Sequence, residues 1–260
     1  MTCAENHQEL LELGGELVPP TTHSKIQSKT KSKWIGVLEE LKNFPPLDAK
    51  TKNKSTHPSI PFHRVPLLDE RKYFWVSNTP ENKSAFDNQC VACGFDKNPI
   101  HSSKHDIEGI NRASKETPIL CENCGEVLPR PSVVDPDGKI RLMAGFTSAY
   151  KRMSPDLPSP TLTRNFSYAC SDSKIHPTQN RVLSIAEALH LQTVTAYPYK
   201  WEIMGEESTK PASDALIRLM IGESVPPKFL ELLGKHLIRT SGGDFSHLND
   251  HKEQKDLFLA

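Results

Sequence analysis

The apolar positions of this chain occur in short stretches separated by polar and proline-rich segments. One stretch has apolar residues spaced i, i+3, i+4 and i+7, which predicts an amphipathic helix that ends at residues 44–47, where two prolines are adjacent. A second short helix is predicted over residues 69–75. The stripe of the first helix consists of Trp34, Val37, Leu38 and Leu41.

Ser184 and Glu187 have the spacing of a capping box, in which the hydroxyl accepts from the third amide and the carboxylate returns to the cap. This pattern predicts a helix that begins after Ser184. Ser213 can cap a further helix over residues 214–220. The apolar side of that helix is expected to carry Leu216, Leu219 and Met220.

A last helix is predicted to begin at Pro227, because proline suits the first helical turn. Its apolar stripe is either part of an internal core or a surface that packs on another chain. Short strands are expected over residues 140–143 and 159–163. The apolar stripe of the last helix consists of Phe229, Leu230, Leu233 and Leu237.

Composition changes this picture little. The 260 residues include 21 prolines, and their mean hydropathy is -0.51. No apolar run approaches the roughly 20 residues that span a bilayer. The first residues lack a basic and an apolar signal region. A cytoplasmic protein without a membrane partner is therefore expected.

The net charge is zero, with 32 basic and 32 acidic residues. A nucleic-acid binder usually has a basic excess, so the overall charge does not favour that class. A local basic excess occurs between Thr21 and Arg64, a range that contains eight lysines and one arginine but only three acidic residues. That excess could contact phosphates, although a solvated flexible segment is the favoured interpretation.

Four cysteines form two C-x2-C pairs that are separated by 27 residues. Two residues between thiolates let both bind one ion, and two such knuckles complete a tetrahedron. Gly94 and Gly125 follow the knuckles and supply the permissive backbone that each turn needs. The pattern indicates a structural Zn²⁺ site, since four sulfur ligands leave no open position. The ligands would be Cys90, Cys93, Cys121 and Cys124.

Two other interpretations of the cysteine pairs remain open. The thiols could lack a metal and be buried or exposed individually. A redox pair is disfavoured, because no βαβ pattern surrounds either C-x2-C unit. A disulfide framework is not expected in a cytoplasmic chain.

The segment from Arg152 to Arg164 combines cations, three prolines and a threonine-rich end. The prolines restrict the backbone, so a loop edge can be presented with little loss of entropy. A plain proline-rich surface loop is the alternative.

Three pieces resemble, in order and spacing, the C-terminal half of a DNA (cytosine-5)-methyltransferase. Thr161-Leu162 matches the dipeptide that closes the family's target-recognition domain. Arg181, Ser184 and Glu187 match the family's ninth motif, with serine in place of threonine. Residues 221–227, Ile-Gly-Glu-Ser-Val-Pro-Pro, match the tenth motif.

The resemblance implies which residues contact ligands. DNA contacts would come from Arg152, Thr161, Thr163, Arg164 and Arg181. S-adenosylmethionine would be contacted by Gly222, Glu223 and Ser224. Glu223 stands where the family has asparagine, which changes the polar contact to that cofactor. The family's Leu-Gln-Gly-Phe-Pro continuation is also altered after Gln192.

Motifs from the first half of such an enzyme are missing from these residues. No cysteine follows a proline, no Glu-Asn precedes a valine, and no Phe-x-Gly-x-Gly loop occurs. We expect the catalytic half to lie on a separate polypeptide, or to have been lost by a frameshift or an internal start. The chain alone would then bind duplex DNA weakly and transfer no methyl group.

The expected fold is α+β. A small target-recognition domain of short strands with a zinc-knuckle insert would precede C-terminal helices that complete an α/β methyltransferase domain. The expected segments are an irregular lead-in (1–33), the recognition domain (34–180, insert 86–130), the C-terminal motifs (181–240) and a flexible tail (241–260). The alternative function is a zinc-stabilised DNA-binding module without catalysis.

Overall fold

The computed structural model describes residues 19–100, 103–105, 111–113, 117–146, 148–204 and 209–240. Most of the expected lead-in, residues 1–18, and the whole expected tail, residues 241–260, lie outside the described residues. Within them, the chain is a mixture of small helices and short strands.

The described helices and strands are short and alternate along the chain. In order they are β1 (His23–Ser24), β2 (Ser32–Lys33), α1 (Val37–Glu40), α2 (Glu70–Ser77), a 3-10 turn (Ala85–Asp87), β3 (Ser103–His105), β4 (Asn111–Ala113), β5 (Ser132–Val134), β6 (Ile140–Leu142), α3 (Ile185–Leu191), a 3-10 turn (Val194–Ala196), β7 (Glu202–Met204), β8 (Thr209–Pro211), α4 (Asp214–Glu223) and α5 (Pro227–Thr240).

The chain divides into two compact units. The larger unit consists of Ile35–Leu191 and Trp201–Glu223, and it contains the cysteine pairs and helices α1 to α4. The smaller unit consists of Met1–Trp34, Gln192–Lys200 and Ser224–Ala260, and it contains α5.

The strands of the described chain pair two by two. β1 and β2 are parallel, whereas the β3–β4, β5–β6 and β7–β8 pairs are antiparallel hairpins. Ser132 lies opposite Leu142 in the β5–β6 hairpin, which confirms the strand predicted at residues 140–143.

The strand predicted at residues 159–163 is wrong, because this segment forms no ladder with another described strand. Pro158 and Pro160 lack the amide hydrogen that a ladder needs. The segment is instead an extended, irregular stretch that other residues anchor.

The two predicted N-terminal helices are present, but the first is shorter than its stripe. α1 is one turn long, and Gly36 precedes it in an extended conformation. A Cβ on Gly36 would lie 2.5 Å from the carbonyl oxygen of Pro155, so only glycine fits this approach. The carbonyls of Leu157 and Pro155 accept from the first amides of α1, at 2.8 and 3.1 Å. The proline-rich loop therefore caps this helix.

The second predicted helix is confirmed as α2. The Asp69 side chain accepts from the backbone amide of Lys72 and caps its first turn.

α4 begins after Ser213 as predicted, but the predicted apolar face is wrong. Ile217 and Ile221 are buried, whereas Leu219 and Met220 are 38% and 48% exposed. Arg218 is buried beside Ile217, and its guanidinium donates to the carbonyls of Leu183 and Arg64.

The largest described core cluster joins α2, the 3-10 turn at Ala85–Asp87 and the segments around residues 150 and 175–182. Trp75 and Tyr150 pack edge to face in it, with ring centroids 5.5 Å apart. This core supports the exposed residues described below.

α5 begins at Pro227 as predicted, yet much of its apolar stripe is exposed. Phe229, Leu230 and Leu237 are 52%, 51% and 39% accessible. Every helix in the described part of the chain is too short or too polar to span a bilayer.

Candidate nucleic-acid interface and metal centre

Residues 161–164, named the recognition segment after the family motif that they resemble, present polar side chains on a buried anchor. Thr161, Thr163 and Arg164 are exposed, while Leu162 is only 5% exposed. This alternation places two hydroxyls and one guanidinium toward solvent. Such groups are typical of contacts to a DNA backbone.

Lys174 holds the recognition segment from beneath. Its ammonium donates to the carbonyl oxygen of Thr161 at 2.8 Å, and its side chain is 1% exposed. Burial lowers the pKa of Lys174. Lys174 therefore lies inside the fold and fixes the backbone of the recognition segment, which forms no β-ladder with another described strand.

Gly222 of α4 holds the same segment from the side. A Cβ at this position would lie 2.1 Å from the backbone nitrogen of Arg164 and 2.3 Å from the carbonyl carbon of Thr163. Only a residue without a side chain allows the helix to pack so closely. The glycine of the seven-residue motif therefore contacts the end of the recognition segment.

Arg152 lies at the centre of a buried hydrogen-bond network. Its guanidinium donates to the carbonyls of Val76, Thr79, His176 and Gln179 and to the side-chain oxygen of Asn180, at 2.6–3.0 Å. The side chain is 4% exposed, and burial lowers its pKa. One arginine thus ties the end of α2 to the loop that precedes α3.

Arg181 and Glu187 form a bidentate ion pair that is completely buried. Both nitrogen–oxygen distances are 2.7 Å, and both side chains are 0% exposed. Burial by itself raises the pKa of Glu187, but the charge and hydrogen bonds of Arg181 lower it to about 2. The carboxylate is therefore ionised inside the protein.

The predicted capping box is present at the start of α3. Ser184 accepts from the amide of Glu187 at 3.1 Å, and Glu187 accepts from the amide of Ser184 at 2.8 Å. The serine hydroxyl also lies 2.9 Å from Nδ1 of His63, whose Nε2 is 2.8 Å from the carbonyl of Pro45. Glu187 thus has two roles: it completes the capping box of α3, and it neutralises the charge of Arg181.

Arg152 and Arg181 do not lie where direct DNA contact requires them. Both guanidinium groups are buried and donate to partners within the chain. Turning either toward a phosphate would leave buried carbonyls or a buried carboxylate without a donor. Their geometry is that of structural residues that hold the end of α2 and the loop before α3, so the expectation of direct DNA contact is corrected.

The residues expected to contact the cofactor lie at the end of α4. Gly222 is half-buried against Arg164, whereas Glu223 and Ser224 are exposed. Glu223 is the last residue of the helix. An exposed carboxylate and a hydroxyl can accept from the hydroxyl or ammonium groups of a ligand.

The structure brings the four cysteines of the two knuckles together. All four sulfurs lie within 4.8 Å of one another, and two of the distances between the knuckles are 3.6 Å (Cys90–Cys124) and 3.7 Å (Cys93–Cys121). Gly94 and Gly125 have φ angles of +74° and +76°, as predicted for knuckle turns. The donor set fits a tetrahedral, sulfur-only metal site.

Hydrogen bonds around this cluster lower the pKa of Cys93, whereas the pKa of Cys124, which the backbone amide of Glu126 lowers, is raised to about 12 by hydrogen bonds from the neighbouring cysteines. The side-chain amide of Asn123 points to Cys93 at 3.5 Å and lowers the pKa of that thiol to about 6, together with the backbone amide of Phe95. Asn98 accepts from the amide of Glu122 at 2.9 Å, so one knuckle is fixed to the loop of the other. Thiolates are the form that binds a metal.

Arg130 and Asn88 connect the cysteine cluster to the core. Arg130 is fully buried and donates to the carbonyls of Asn88 and Pro118, at 2.8 and 2.7 Å. The Asn88 amide donates to Trp75 at the end of α2 at 2.8 Å. The insert is thereby attached to the same helix that Arg152 holds.

Sequence reasoning missed Lys174, Arg130 and Arg218, which are all buried cations of the larger unit. No spacing pattern marks these residues, because each acts on a backbone group far along the chain or on another element. A cation within an otherwise apolar stretch, as Arg218 within residues 215–221, was an available signal for one of them.

Comparison with known proteins identifies relatives at modest identity. No protein-family model matches this sequence. The chain is 24% identical over 216 residues, 80% of its length, to the type II methyltransferase M1.HgaI of Avibacterium volantium. It is 34% identical over 94 residues, 35% of its length, to the type II methyltransferase M.AquIB of a Picosynechococcus species. The aligned regions cover 45% of the first relative and 63% of the second, so the chain is similar to parts of two type II methyltransferases.

Proposed function

We propose that this chain is the DNA-recognition part of a DNA (cytosine-5)-methyltransferase. It would bind a short duplex site while methyl passes from S-adenosylmethionine to cytosine C5. The observation that carries the proposal is the exposed segment of residues 161–164, which is held rigidly by Lys174 and Gly222. The similarity to two type II methyltransferases supports it.

The exposed side chains of the segment suit contact with DNA. Thr161 and Thr163 can donate hydroxyl hydrogens to phosphate oxygens, and Arg164 can form a bidentate contact to a phosphate or to guanine. A segment that is already ordered loses little entropy on binding. The buried Arg152 and Arg181 contribute by holding the loops around it.

The thiol that attacks cytosine C6 would come from outside these 260 residues, on a separate catalytic chain. That chain would hold S-adenosylmethionine, which supplies the methyl group, and the target base would leave the duplex to reach it. Glu223 and Ser224 would contribute an exposed carboxylate and hydroxyl toward the cofactor. Gly222 would contribute by packing, since its Cβ position is occupied by the backbone of Arg164.

The cysteine cluster would bind one structural Zn²⁺. Four thiolates saturate the ion, so it would act on the fold and not on the reaction. Its effect would be to hold a loop-rich insert against α2 through Asn88 and Arg130.

The decisive test is transfer of labelled methyl from S-adenosylmethionine to duplex DNA. The chain would be assayed alone and co-expressed with the product of the neighbouring reading frame. We expect activity only in the pair. Activity of the chain alone would contradict the assignment of the nucleophile to another chain.

A zinc-stabilised DNA-binding module without catalysis is the second candidate, and the complete cysteine cluster favours it. It predicts salt-sensitive DNA binding with no methyl transfer in either sample. It also predicts that a catalytic chain does not co-purify with this one.

A further inference from the structure

The larger unit contains a groove whose lining is basic. Its volume is about 570 Å³, and it is bounded by the approach to α2, the turn after the recognition segment and the start of α4. The lining includes four cations and one carboxylate. These charged residues are Arg64, Lys72, Arg164, Arg218 and Asp214.

The carboxylate does not neutralise the groove. Asp214 forms a bidentate pair with Arg64, with one nitrogen–oxygen distance of 2.6 Å. Lys72 is paired with Asp69 at 2.6 Å, but its side chain remains 45% exposed. Arg164 is exposed at the rim. The groove therefore keeps an excess of positive charge.

Arg218 at the floor of the groove is a buried cation. It is 8% exposed, and among the described residues it forms no ion pair. Its guanidinium donates to the carbonyls of Arg64 at 3.2 Å and Leu183 at 3.5 Å, and it lies 5.3 Å from the Phe166 ring centroid. Burial lowers its pKa to about 10, so the group stays charged at neutral pH. Asp214 and Glu187 also act on this guanidinium, but each of them is paired with another arginine, Arg64 or Arg181. Three arginines therefore share two carboxylates, and an anionic ligand would supply the missing negative charge.

The recognition segment leads directly into this groove. Gly222 lies one helical turn after Arg218 on the same face of α4, and it packs against Arg164. Tyr168, a few residues further along, lines the groove and is 60% exposed. A cationic groove with an exposed aromatic ring is typical of sites for a nucleic-acid strand.

We propose that this groove takes the phosphodiester backbone of one DNA strand next to the recognition segment. The inference rests on the proposed function and extends it to α2 and α4. Unlike the closely bonded Arg152 and Arg181, Arg218 lines an open groove and donates to its two carbonyls only at 3.2 and 3.5 Å, so its guanidinium can also reach a phosphate. Arg218 and Arg164 contact one phosphate, Lys72 contacts the next, and the Tyr168 ring packs on the intervening sugar. The polyanion supplies negative charge where Arg64, Arg181 and Arg218 share the two carboxylates of Asp214 and Glu187.

The test is fluorescence anisotropy of a labelled duplex with the full chain at several salt concentrations. The variants are Lys72→Ala, Tyr168→Ala and Arg218→Met, and the matched control is Lys139→Ala in the β5–β6 turn, outside the groove. Loss of one phosphate contact should reduce the slope of log K against log salt by about 0.9 in Lys72→Ala and in Arg218→Met. Tyr168→Ala should weaken binding about fivefold or more with the slope unchanged.

Thermal unfolding of each variant separates binding from folding. Arg218→Met should weaken DNA binding about tenfold, as expected for a lost charge-assisted contact. It should change the melting temperature little, because an apolar group replaces a buried charge while Asp214 and Glu187 keep Arg64 and Arg181 as partners. Unchanged slopes in both charge variants, with normal binding by the wild type, would overturn the groove assignment and leave the proposed function standing. Absence of DNA binding by the wild type would overturn both.

A free anion is the other occupant that this chemistry would accept. Inorganic phosphate added at constant ionic strength should not displace the duplex. Displacement by millimolar phosphate in the wild type, but not in Arg218→Met, would show a small-anion site and overturn the DNA assignment.

Discussion

A Cβ atom on Gly222 would lie 2.1 Å from the backbone nitrogen of Arg164, so the glycine of the seven-residue motif and the end of the recognition segment are in direct contact. The contact explains why a glycine occupies an interior position of α4, where it is otherwise unfavourable. It also means that the position of Arg164 depends on the size of residue 222.

Gly222→Ala is expected to destabilise the fold. The added methyl group would meet backbone atoms that cannot rotate away, and overpacking of this kind typically costs about 1–3 kcal/mol. Thermal or denaturant unfolding measures the change. Gly234→Ala in α5 is the matched control, since its Cβ would meet nothing within 4 Å. That variant should gain about 0.5–1 kcal/mol from helix propensity, and equal effects at both positions would contradict the packing argument.

Glu187→Gln is expected to be among the most disruptive single changes of the larger unit. It would leave the buried Arg181 without its counter-charge, which typically costs about 3–5 kcal/mol. Denaturant unfolding of the variant gives the free energy directly.

The control for that variant is Arg141→Ala. It breaks the exposed Arg141–Asp135 pair, in which the arginine side chain is 54% accessible. Exposed pairs contribute about 0–1 kcal/mol, so this variant should unfold almost as the wild type does. If Glu187→Gln and Arg141→Ala lost the same free energy of unfolding, Arg181 would not be buried in solution.

Local signals in the sequence predicted local structure well. The Ser184–Glu187 spacing predicted the capping box that begins α3, and the glycines after each C-x2-C unit predicted the two positive-φ turns. Each of these features is decided by residues within a few positions of one another. The short helix predicted over residues 69–75 is present as α2.

Features that depend on distant residues were not predictable. The Lys174–Thr161 contact joins residues 13 positions apart, and Arg218 reaches a carbonyl 154 positions away. The resemblance suggested outward roles for Arg152 and Arg181, because a motif specifies which residues matter and not whether they contact the ligand. The apolar side chains of α4 were assigned to the wrong face because Leu219 and Met220 are apolar yet exposed.

Stability should fall as the pH falls below 6.5, because of His176. Burial and the neighbouring Arg181 lower the pKa of this histidine to about 3, against an ordinary value of 6.5. Its Nδ1 accepts from the amides of Gln179 and Thr178, at 3.1 and 3.2 Å, which requires the unprotonated ring.

The direction of the stability change with pH follows from proton uptake by His176. Between pH 6.5 and about 3 the unfolded chain binds a proton that the folded chain excludes, so stability is complete above pH 6.5 and decreases progressively below it. This group alone should remove about 2 kcal/mol by pH 5. Among the groups that face it, Glu187 remains ionised at pH 5, because its pKa is lowered to about 2.

Denaturant unfolding at pH 7.5, 6 and 5 measures how the free energy of unfolding changes with pH. His176→Gln should be less stable than the wild type at pH 7.5 and should lose less stability on acidification. His63, whose pKa is also lowered by burial, leaves a residual slope in that variant. A wild-type stability that does not change between pH 7.5 and 5 would show that His176 is not buried in solution.

Removal of the metal should loosen the insert and, through it, α2. Cys93→Ser would remove one of four sulfurs that lie within 4.8 Å, and a three-sulfur site binds Zn²⁺ more weakly. We expect about one zinc per chain in the wild type by metal analysis and much less in the variant. The variant should also melt at a lower temperature, because structural zinc contributes directly to folding.

Cys170→Ser is the matched control, since Cys170 is an exposed thiol outside the cluster. It should keep both the zinc content and the melting temperature of the wild type. Chelation of the wild type should reproduce the Cys93→Ser result and leave that variant unaffected. Because Asn88 joins the insert to Trp75, loss of zinc should also change the fluorescence of that tryptophan. Equal zinc content in the two serine variants would exclude the four-cysteine site.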